Sequence, residues 1–399
     1  MTEAIADAVD AVACPLCGHA EAPSLEPGRC PDCDALLEPR LDQDAIAVDR
    51  ETVETRPFDD LWRYAELLPL APETAVGLGS GATPLVECPT LADRFGVASL
   101  AVKHEGTNPT GTFKDRGQAL AIAAAGAAGT EHVALASAGN AGHAAAAYAA
   151  RAGLQAHVFL PARAGFVQKA MVNVHGADLT VVEGRLTEAG AAHAGAMDEH
   201  PDWFSISTPD TPYRREGKKT MYYEVAEQRG WRAPDAVVYP TGGGVGLLGM
   251  AKGARELASL GWVDDEPAFF AAQSTGCAPV VAAMDAGAAT VEAATDPDTI
   301  CGGIEVPSVG AGREVLRVLR ESGGSAVATD DDAILDAALT VAETEGVALA
   351  PEAAATISGL EALVDRGELG ADDEVVVLGT GTGLKHADVL RSQLMSQGI

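Results

Sequence analysis

A single lysine, Lys114, stands where a side-chain amine could do covalent chemistry. It lies in the stretch GTNPTGTFKDRGQ (106–118), after a turn-forming Asn-Pro-Thr-Gly and directly before an alanine-rich run. That run predicts a helix, and the positive end of a helix, together with a partly dry pocket, lowers the pKa of a lysine placed there. A neutral amine is suited to imine formation with an aldehyde, whereas a charged one is suited to binding a phosphate. The sequence leaves both roles open for Lys114.

A glycine-rich loop is the second feature that predicts a ligand. The segment VVYPTGGGVG (237–246) leads from a strand-like run into a helix-like one. Bare backbone N–H groups at a helix N-terminus form a nest for an anion such as a phosphate. The residues of this candidate nest are Gly242, Gly243, Gly244, Val245 and Gly246. Close packing of strand against helix is the alternative explanation, since glycine patterns of this kind are common.

Two more polar loops follow apolar runs. In SAGNAGH (137–143), the Asn140 amide could bond an oxygen of a planar ligand, or Ser137 and Asn140 could simply cap a helix. In GTGTGLK (379–385), Thr380 and Thr382 offer hydroxyls among glycines that allow a ligand to approach, or the loop is a plain turn. In open α/β sheets, ligands bind at the carboxyl ends of strands, so we expect both loops at such an edge.

Four cysteines near the N-terminus have the spacing of a metal site. Cys14, Cys17, Cys30 and Cys33 form C-x2-C-x12-C-x2-C, which is typical of a tetrahedral zinc ribbon. Four thiolates leave no open position, so the metal is expected to be structural. Iron is the usual competitor for such ligands, and a pair of disulfides is the other alternative. The remaining cysteines, Cys88, Cys277 and Cys301, are isolated and predicted to be buried.

The charge balance restricts the possible partners. The 399 residues carry 58 acidic and 27 basic side chains, for a formal net charge of -31. A polyanion would be repelled, so we expect neither nucleic-acid nor membrane-surface binding. Acidity spread over the whole chain indicates the solvated coat of a halophilic protein. An anionic substrate would then require a locally basic pocket, and the few basic residues become informative.

The segment lengths and the start of the chain indicate a cytoplasmic α/β protein. The acidic start MTEAIADAVDAVAC is unlike a signal peptide, and no apolar run is long enough to span a bilayer. Apolar strand-like runs such as HVALAS (132–137) and QAHVFLP (155–161) alternate with helix-like ones. This alternation predicts parallel sheets covered on both faces. The run LWRYAELLPL (61–70) is predicted to form one helix.

The motifs together resemble a known family. NPTGTFKDRG, SAGNAGH, PTGGGVG and GTGTGLK, in this order, resemble the pyridoxal-phosphate (PLP) enzymes of fold type II, and most of all the threonine synthases. The segments GSGATPL (79–85), TPYRREGKKTMYYEVAEQ (211–228) and PEAAATISGL (351–360) add to the resemblance, which covers roughly 55–399. An N-terminal cysteine ribbon also occurs in that family. The resemblance implies two parallel-sheet domains, one of 46–131 with 213–399 and a smaller one of 132–212, after a ribbon of 1–45.

The resemblance also implies roles for individual residues. Lys114 matches the lysine that forms the Schiff base with PLP, and Asn140 the residue that bonds the cofactor's 3′-oxygen. Gly242–Gly246 match the cradle of the cofactor phosphate. Thr380 matches the hydroxyl that faces the pyridine nitrogen, a partner that leaves this nitrogen largely unprotonated.

The implied activity is that of a carbon–oxygen lyase acting on phosphates. It converts O-phospho-L-homoserine and water to L-threonine and phosphate, a small-molecule reaction that a homodimer would perform. An anionic substrate needs local cations and hydrogen-bond donors. The candidates in or beside the motifs are Lys103, Thr110, Arg116, Ser137, Arg214 and Lys218.

Three alternatives remain at this point. The GGGVG loop is similar to that of the serine/threonine dehydratases, which favours an ammonia-lyase. Thr211 and Thr382 stand where Asn and His are frequent in threonine synthases, which leaves room for a related β-replacement enzyme such as a cysteate synthase. A zinc-ribbon protein that binds a nucleotide and performs no chemistry is the alternative from another functional class.

Overall fold

The computed structural model describes residues 2–398, in which strands and helices alternate as the sequence predicts. The strands, in chain order, are β1 (Val9–Ala13), β2 (Ala20–Glu21), β3 (Glu38–Leu41), β4 (Leu85–Glu87), β5 (Ser99–His104), β6 (His132–Ala136), β7 (Gln155–Pro161), β8 (Asp178–Val182), β9 (Phe204–Ser205), β10 (Ala236–Pro240), β11 (Ala268–Ser274), β12 (Ala326–Thr329) and β13 (Glu374–Gly379).

The α-helices fill the intervals between these strands. They are α1 (Arg50–Glu54), α2 (Pro89–Phe95), α3 (Lys114–Ala128), α4 (Asn140–Ala152), α5 (Phe166–Val174), α6 (Leu186–Glu199), α7 (Tyr213–Gln228), α8 (Val245–Ser259), α9 (Pro279–Asp285), α10 (Gly312–Glu321), α11 (Asp331–Glu345), α12 (Pro351–Asp365) and α13 (Ala387–Ser396). Within residues 2–398, no helix combines the length and apolarity that crossing a membrane requires.

The described part of the chain divides into two compact units. One consists of the chain up to Ala82 together with Lys114–Thr220, and the other of Thr83–Phe113 together with the chain from Met221 onward. The domain boundaries drawn from the family resemblance stay a prediction.

The first unit contains two of the sheets. A four-stranded sheet has the order β8-β7-β6-β9, and all of its pairs are parallel. Its central strand β6 is apolar on both faces because helices cover both, as expected for a parallel sheet. The ribbon forms a separate antiparallel sheet of order β2-β1-β3.

The second unit contains a six-stranded sheet of order β12-β11-β10-β13-β5-β4. Five of its strands run parallel, whereas β4 pairs antiparallel with β5. The prediction of purely parallel sheets is therefore wrong at this edge. The cause is the connection 88–98, which is short for a parallel crossover, since such crossovers take about a dozen residues or more.

The segment 61–70 also differs from its prediction as one helix. Leu61–Leu67 forms 3-10 turns interrupted at Tyr64, where φ is -103° and ψ is 31°. Leu61, Tyr64 and Leu67 are fully buried. Packing of so short a segment on several sides outweighs its helix propensity.

Two glycines allow α3 and α7 to approach closely within the first unit. A Cβ at Gly217 would lie 2.0 Å from the carbonyl oxygen of Arg116, and one at Gly117 would lie 2.8 Å from that of Arg214. The backbones are in direct contact at this crossing, so the start of α3 and the start of α7 hold each other in place.

We predict that Gly117→Ala destabilises the protein by about 1–3 kcal/mol, since the added methyl group meets backbone that cannot move aside. Gly126 is the matched control in the same helix, because a Cβ there meets nothing within 4 Å. Gly126→Ala should stabilise by about 0.5–1 kcal/mol through helix propensity. Urea unfolding midpoints measure both effects, and a shift of both variants in the same direction would contradict the close crossing.

Candidate active site

Three of the sequence motifs begin at one edge of the six-stranded sheet. Strand β10 pairs parallel with β13, and β13 pairs parallel with β5. The loops that follow these strands, from Glu105, Thr241 and Thr380, therefore leave the sheet side by side at its carboxyl edge. This is the edge at which open α/β sheets bind ligands.

The segment before Lys114 is paired with the GTGTG loop. The backbone N–H of Phe113 donates to the carbonyl oxygen of Thr380 at 3.0 Å, and that of Thr382 donates to Gly111 at 3.0 Å. Gly111 has a φ of 76°, and a Cβ there would lie 2.9 Å from Cγ2 of Thr382. Because Phe113 is the neighbour of Lys114 in the sequence, this pairing fixes the backbone from which the lysine helix begins.

A tyrosine at the end of β10 packs between Phe113 and the glycine loop. The rings of Phe113 and Tyr239 meet edge to face, with centroids 6.2 Å apart and an interplanar angle of 78°. On its other side, the Tyr239 hydroxyl lies against Gly246, where a Cβ would be 1.8 Å from the oxygen. Tyr239 therefore sets the spacing between the glycine loop and the residue that precedes Lys114.

The glycine loop contains one glycine that packing does not require. A Cβ at Gly242 would lie 2.9 Å from Val306, and one at Gly244 would lie 2.2 Å from Val315, so these glycines are needed for close packing. At Gly243 a Cβ would meet nothing within 4 Å. No side chain caps α8, which begins at Val245. A bare, uncapped helix start with space in front of it fits a phosphate group.

One buried carboxylate, Glu105, organises the turn that carries Thr110. Glu105 accepts a hydrogen bond from the Thr83 hydroxyl at 2.6 Å and another from the Asn108 amide at 2.8 Å. The turn itself is closed by the N–H of Gly111, which donates to the carbonyl oxygen of Asn108 at 2.7 Å. Thr110 within it is buried. Glu105 thus ties the GSGATPL and NPTG segments together.

Lys103 is fully buried and donates three hydrogen bonds. Its Nζ bonds the Thr83 carbonyl oxygen at 2.7 Å, Glu224 Oε2 at 2.7 Å and Gln228 Oε1 at 2.8 Å. Three is the number of protons that an ammonium can donate. Binding a substrate through Lys103 would require breaking one of these bonds, and its role as a substrate ligand stays a prediction.

The other predicted residues lie in the first unit. Lys114 is the first residue of α3 and is half-buried. Asn140 is the first residue of α4, and its Oδ1 accepts from Gln168 Nε2 at 3.4 Å. Ser137 is buried, and its hydroxyl accepts from the N–H groups of Gly139 and Gly142, both at 3.0 Å. Ser137 therefore does the capping that the sequence left open.

The starts of α3 and α7 concentrate positive charge. Arg116, Arg214 and Lys218 are all buried in a chain with a large excess of acids. Arg116 donates to the Thr220 hydroxyl at 2.9 Å, and Arg214 to the Ile206 carbonyl oxygen at 2.9 Å. The Arg214 Nε is buried without a hydrogen-bond partner among the described residues.

Burial and mutual repulsion lower the pKa values of two of these cations. Burial lowers the pKa of Arg214 to about 10. The pKa of Lys218 is lowered well below its usual value, first by burial and then by the charges of Arg214, Lys114 and Arg215. A bound anion would raise both pKa values, because nearby negative charge favours the charged form of a base.

The four ribbon cysteines converge on one point. Their Sγ atoms lie within 4.8 Å of one another, with Cys14–Cys33 and Cys17–Cys30 each at 3.4 Å and Cys17–Cys33 at 3.8 Å. All four are free thiols. Metal–sulfur bonds of about 2.3 Å in a tetrahedron give sulfur–sulfur edges of about 3.8 Å. The cluster could therefore hold a metal ion.

Sequence reasoning missed Glu105 and Tyr239. Both stand at or just after the end of an apolar strand, in KHEG and VVYP, and this position could have identified them. The contacts of Glu105 with Thr83 and of Tyr239 with Phe113 join separate segments of the sequence, which a single motif does not show.

Comparison with known proteins identifies relatives over most of the chain. The family described as "Pyridoxal-phosphate dependent enzyme" matches residues 76–381. Threonine synthase of Methanosarcina acetivorans is 37% identical over 89% of this chain and 87% of its own length. That of Methanocaldococcus jannaschii is 34% identical over 90% and 88%, and that of Mycobacterium bovis 33% identical over 84% and 90%.

Solved structures share the fold at lower identity. A fungal L-serine ammonia-lyase from Rhizomucor miehei has a TM-score of 0.68 at 23% identity, covering 78% of this chain and 97% of that one. Diaminopropionate ammonia lyase from Escherichia coli has a TM-score of 0.69 at 18% identity, covering 82% and 90%. At these identities the likeness shows the fold and no particular reaction.

Proposed function

The chain belongs to the pyridoxal-phosphate-dependent enzymes and, within them, to the threonine synthases, and we propose that it converts O-phospho-L-homoserine and water to L-threonine and phosphate. The choice of O-phospho-L-homoserine as the substrate rests on the group of buried cations at the starts of α3 and α7. In so acidic a protein, buried positive charge is suited to an anionic substrate.

The cofactor would be held by residues of the motifs. Lys114 would be the amine that bonds the PLP aldehyde, and Asn140 would donate its amide N–H to the 3′-oxygen. The backbone N–H groups of Gly242–Gly246 bind the cofactor phosphate, as the open space at Gly243 and the uncapped start of α8 support. Thr380, buried at the end of β13, offers its hydroxyl to the pyridine nitrogen.

The protein's part in the reaction is to place the substrate and move protons. Bound PLP supplies an electron sink that stabilises negative charge next to the substrate Cα. Lys114 would carry protons to and from Cα and Cβ of the substrate. Overall, phosphate leaves from Cγ with a proton from water, a proton taken from Cβ is returned to Cγ, and the hydroxyl group of that water adds at Cβ.

Arg214 and Lys218 are the cations we assign to the substrate phosphate, with Arg116 beside them. The partnerless Nε of Arg214 supports this assignment, because a guanidinium bonds a phosphate with more than one N–H group. Phosphate binding would favour the charged form of Lys218, and the cations would favour departure of the phosphate as an anion. Thr110 and Ser137 are proposed to bond the substrate's polar groups.

We further propose zinc as the metal of Cys14, Cys17, Cys30 and Cys33. The closed set of four thiolates supports a structural ion, since no position is left for substrate. The acidic composition supports a halophilic cell and a cytoplasmic location, where free thiols persist. The homodimer remains part of this proposal and rests on the family alone.

A substrate panel tests the reaction. In high salt, phosphate release from O-phospho-L-homoserine should exceed ammonia release from threonine or serine, because the buried cations match a phosphate and not a neutral hydroxyl. Parallel phosphate and ammonia assays on one preparation measure the ranking. The reverse ranking would favour an ammonia-lyase and reject the proposed reaction.

Elemental analysis tests the ribbon metal. We predict about one zinc per chain, lost in Cys14→Ser and kept in Cys277→Ser, since Cys277 is buried and does not belong to the cluster. Cys14→Ser should also lower the thermal midpoint, because metal binding contributes directly to folding. Iron in place of zinc, or full metal content in Cys14→Ser, would refute the assignment.

A further inference from the structure

The ribbon is joined to the helix that carries Arg214 by a nearly buried ion pair. Arg215, in the first turn of α7, donates to Glu38 Oε2 of β3 at 2.6 Å. The two side chains are only 7% and 13% exposed, and both residues belong to the first unit. An ion pair so shielded from water fixes its partners far better than a surface pair does.

Two more contacts join the ribbon to the segment that leads into α7. Arg29, the neighbour of Cys30 in sequence, donates to the carbonyl oxygen of Pro209 at 3.0 Å, and the Tyr213 hydroxyl donates to Ser24 at 3.4 Å. Leu25 packs in the same hydrophobic cluster as Tyr213. The contact is therefore apolar at its centre and polar around it, and it depends on the loops that the cysteines hold.

The position of Arg215 governs its neighbour Arg214. The Arg214 guanidinium is fixed to the Ile206 carbonyl oxygen, and the Arg214 backbone lies against Gly117. In this crowded crossing a shift of the first turn of α7 cannot be absorbed locally. It moves the Arg214 side chain away from its present direction.

Glu38 also offsets repulsion within the cation group. Arg215 is one of the charges that act on Lys218, and Glu38 is its acidic partner across the ribbon contact. Without that carboxylate, the positive charge of Arg215 beside Arg214 and Lys218 is balanced less well. The expected response is displacement of the helix start.

We propose that the ribbon is a positioning element for substrate binding, acting through the Glu38–Arg215 pair on Arg214 at the start of α7. The inference rests on the proposed function, in which Arg214 binds the substrate phosphate. It gives the ribbon metal a role beyond local folding. Loss of the metal loosens the ribbon, and the loosened contact weakens binding of the phosphate group.

The test compares Glu38→Gln with Asp10→Asn in the full enzyme. Asp10 pairs with Arg40 on the same ribbon sheet at 2.6 Å, but this pair is exposed to solvent. Glu38→Gln should raise KM for O-phospho-L-homoserine at least about threefold, the size expected for coupling through packed elements. The values of kcat, bound PLP absorbance and metal content should remain those of wild type. Asp10→Asn should leave all of these unchanged.

Hydrogen exchange supplies a readout that does not need turnover. Amides of 209–217 should exchange faster in Glu38→Gln than in wild type or Asp10→Asn, because the pair that holds this turn is lost. Removing the ribbon metal with a chelator should produce the same increase. Glu38→Asp keeps the charge, so its hydrogen-exchange protection and its KM should be close to those of wild type. If Glu38→Gln folds poorly, Glu38→Asp is the variant to compare with wild type.

The outcomes separate this inference from the proposed function. If Glu38→Gln matches Asp10→Asn in both KM and exchange, the positioning role is wrong. Faster exchange with an unchanged KM would also reject it, since the contact would then hold the helix without serving the substrate. If wild type releases no phosphate from O-phospho-L-homoserine, the proposed function fails, whatever the exchange data show about the ribbon.

Discussion

Keeping positive charge buried in an acidic protein is the constraint on which the starts of α3 and α7 depend. Arg116, Arg214 and Lys218 lie inside the first unit although water would solvate them better outside. Burial lowers the pKa of Arg214 and that of Lys218. An anion bound beside this arrangement would favour the charged forms of both side chains. The features around it, from the glycine crossing of α3 and α7 to the Glu38–Arg215 pair, hold these cations in place.

The carboxyl edge of the six-stranded sheet is organised by close packing instead of charge. In the second unit, Tyr239 packs against Phe113 on one side and Gly246 on the other, and the 111–113 segment pairs with 380–382. Close packing requires glycine at three positions of the loop, since Gly242 lies against Val306, Gly244 against Val315 and Gly246 against Tyr239. Gly243 meets no neighbour, which leaves space for the cofactor phosphate that we propose there. The close-packing explanation therefore applies to three of these glycines, and the phosphate nest stays a prediction.

Much of this architecture could be predicted from the sequence because its signals are local. Apolar runs of strand length, alanine-rich helical runs and their glycine stops predict β6, α4 and β7 nearly to the residue. The motifs around Lys114, Asn140, Gly242–Gly246 and Thr380 identify the family, and the fold type II assignment is confirmed by the comparisons.

What the sequence could not supply are contacts between distant residues. Glu38 and Arg215 are separated by 177 positions, and nothing in either neighbourhood marks them as partners. The partners of Lys103 are also distant in the sequence. Its motif predicted a substrate ligand, whereas in the structure its Nζ donates to Glu224 and Gln228. The antiparallel edge strand β4 depends on the length of its connection, and the 3-10 turns of 61–67 depend on burial from several sides. A periodic pattern in the sequence indicates neither.

Borohydride reduction of the PLP-loaded enzyme, followed by peptide mapping, tests the central claim most directly. The account predicts a pyridoxyl group on the peptide that contains Lys114, absent in Lys114→Ala and retained in Lys169→Ala, since Lys169 bonds the Ala162 carbonyl oxygen elsewhere in the first unit. A pyridoxyl group on another lysine, or none on any, would contradict the account.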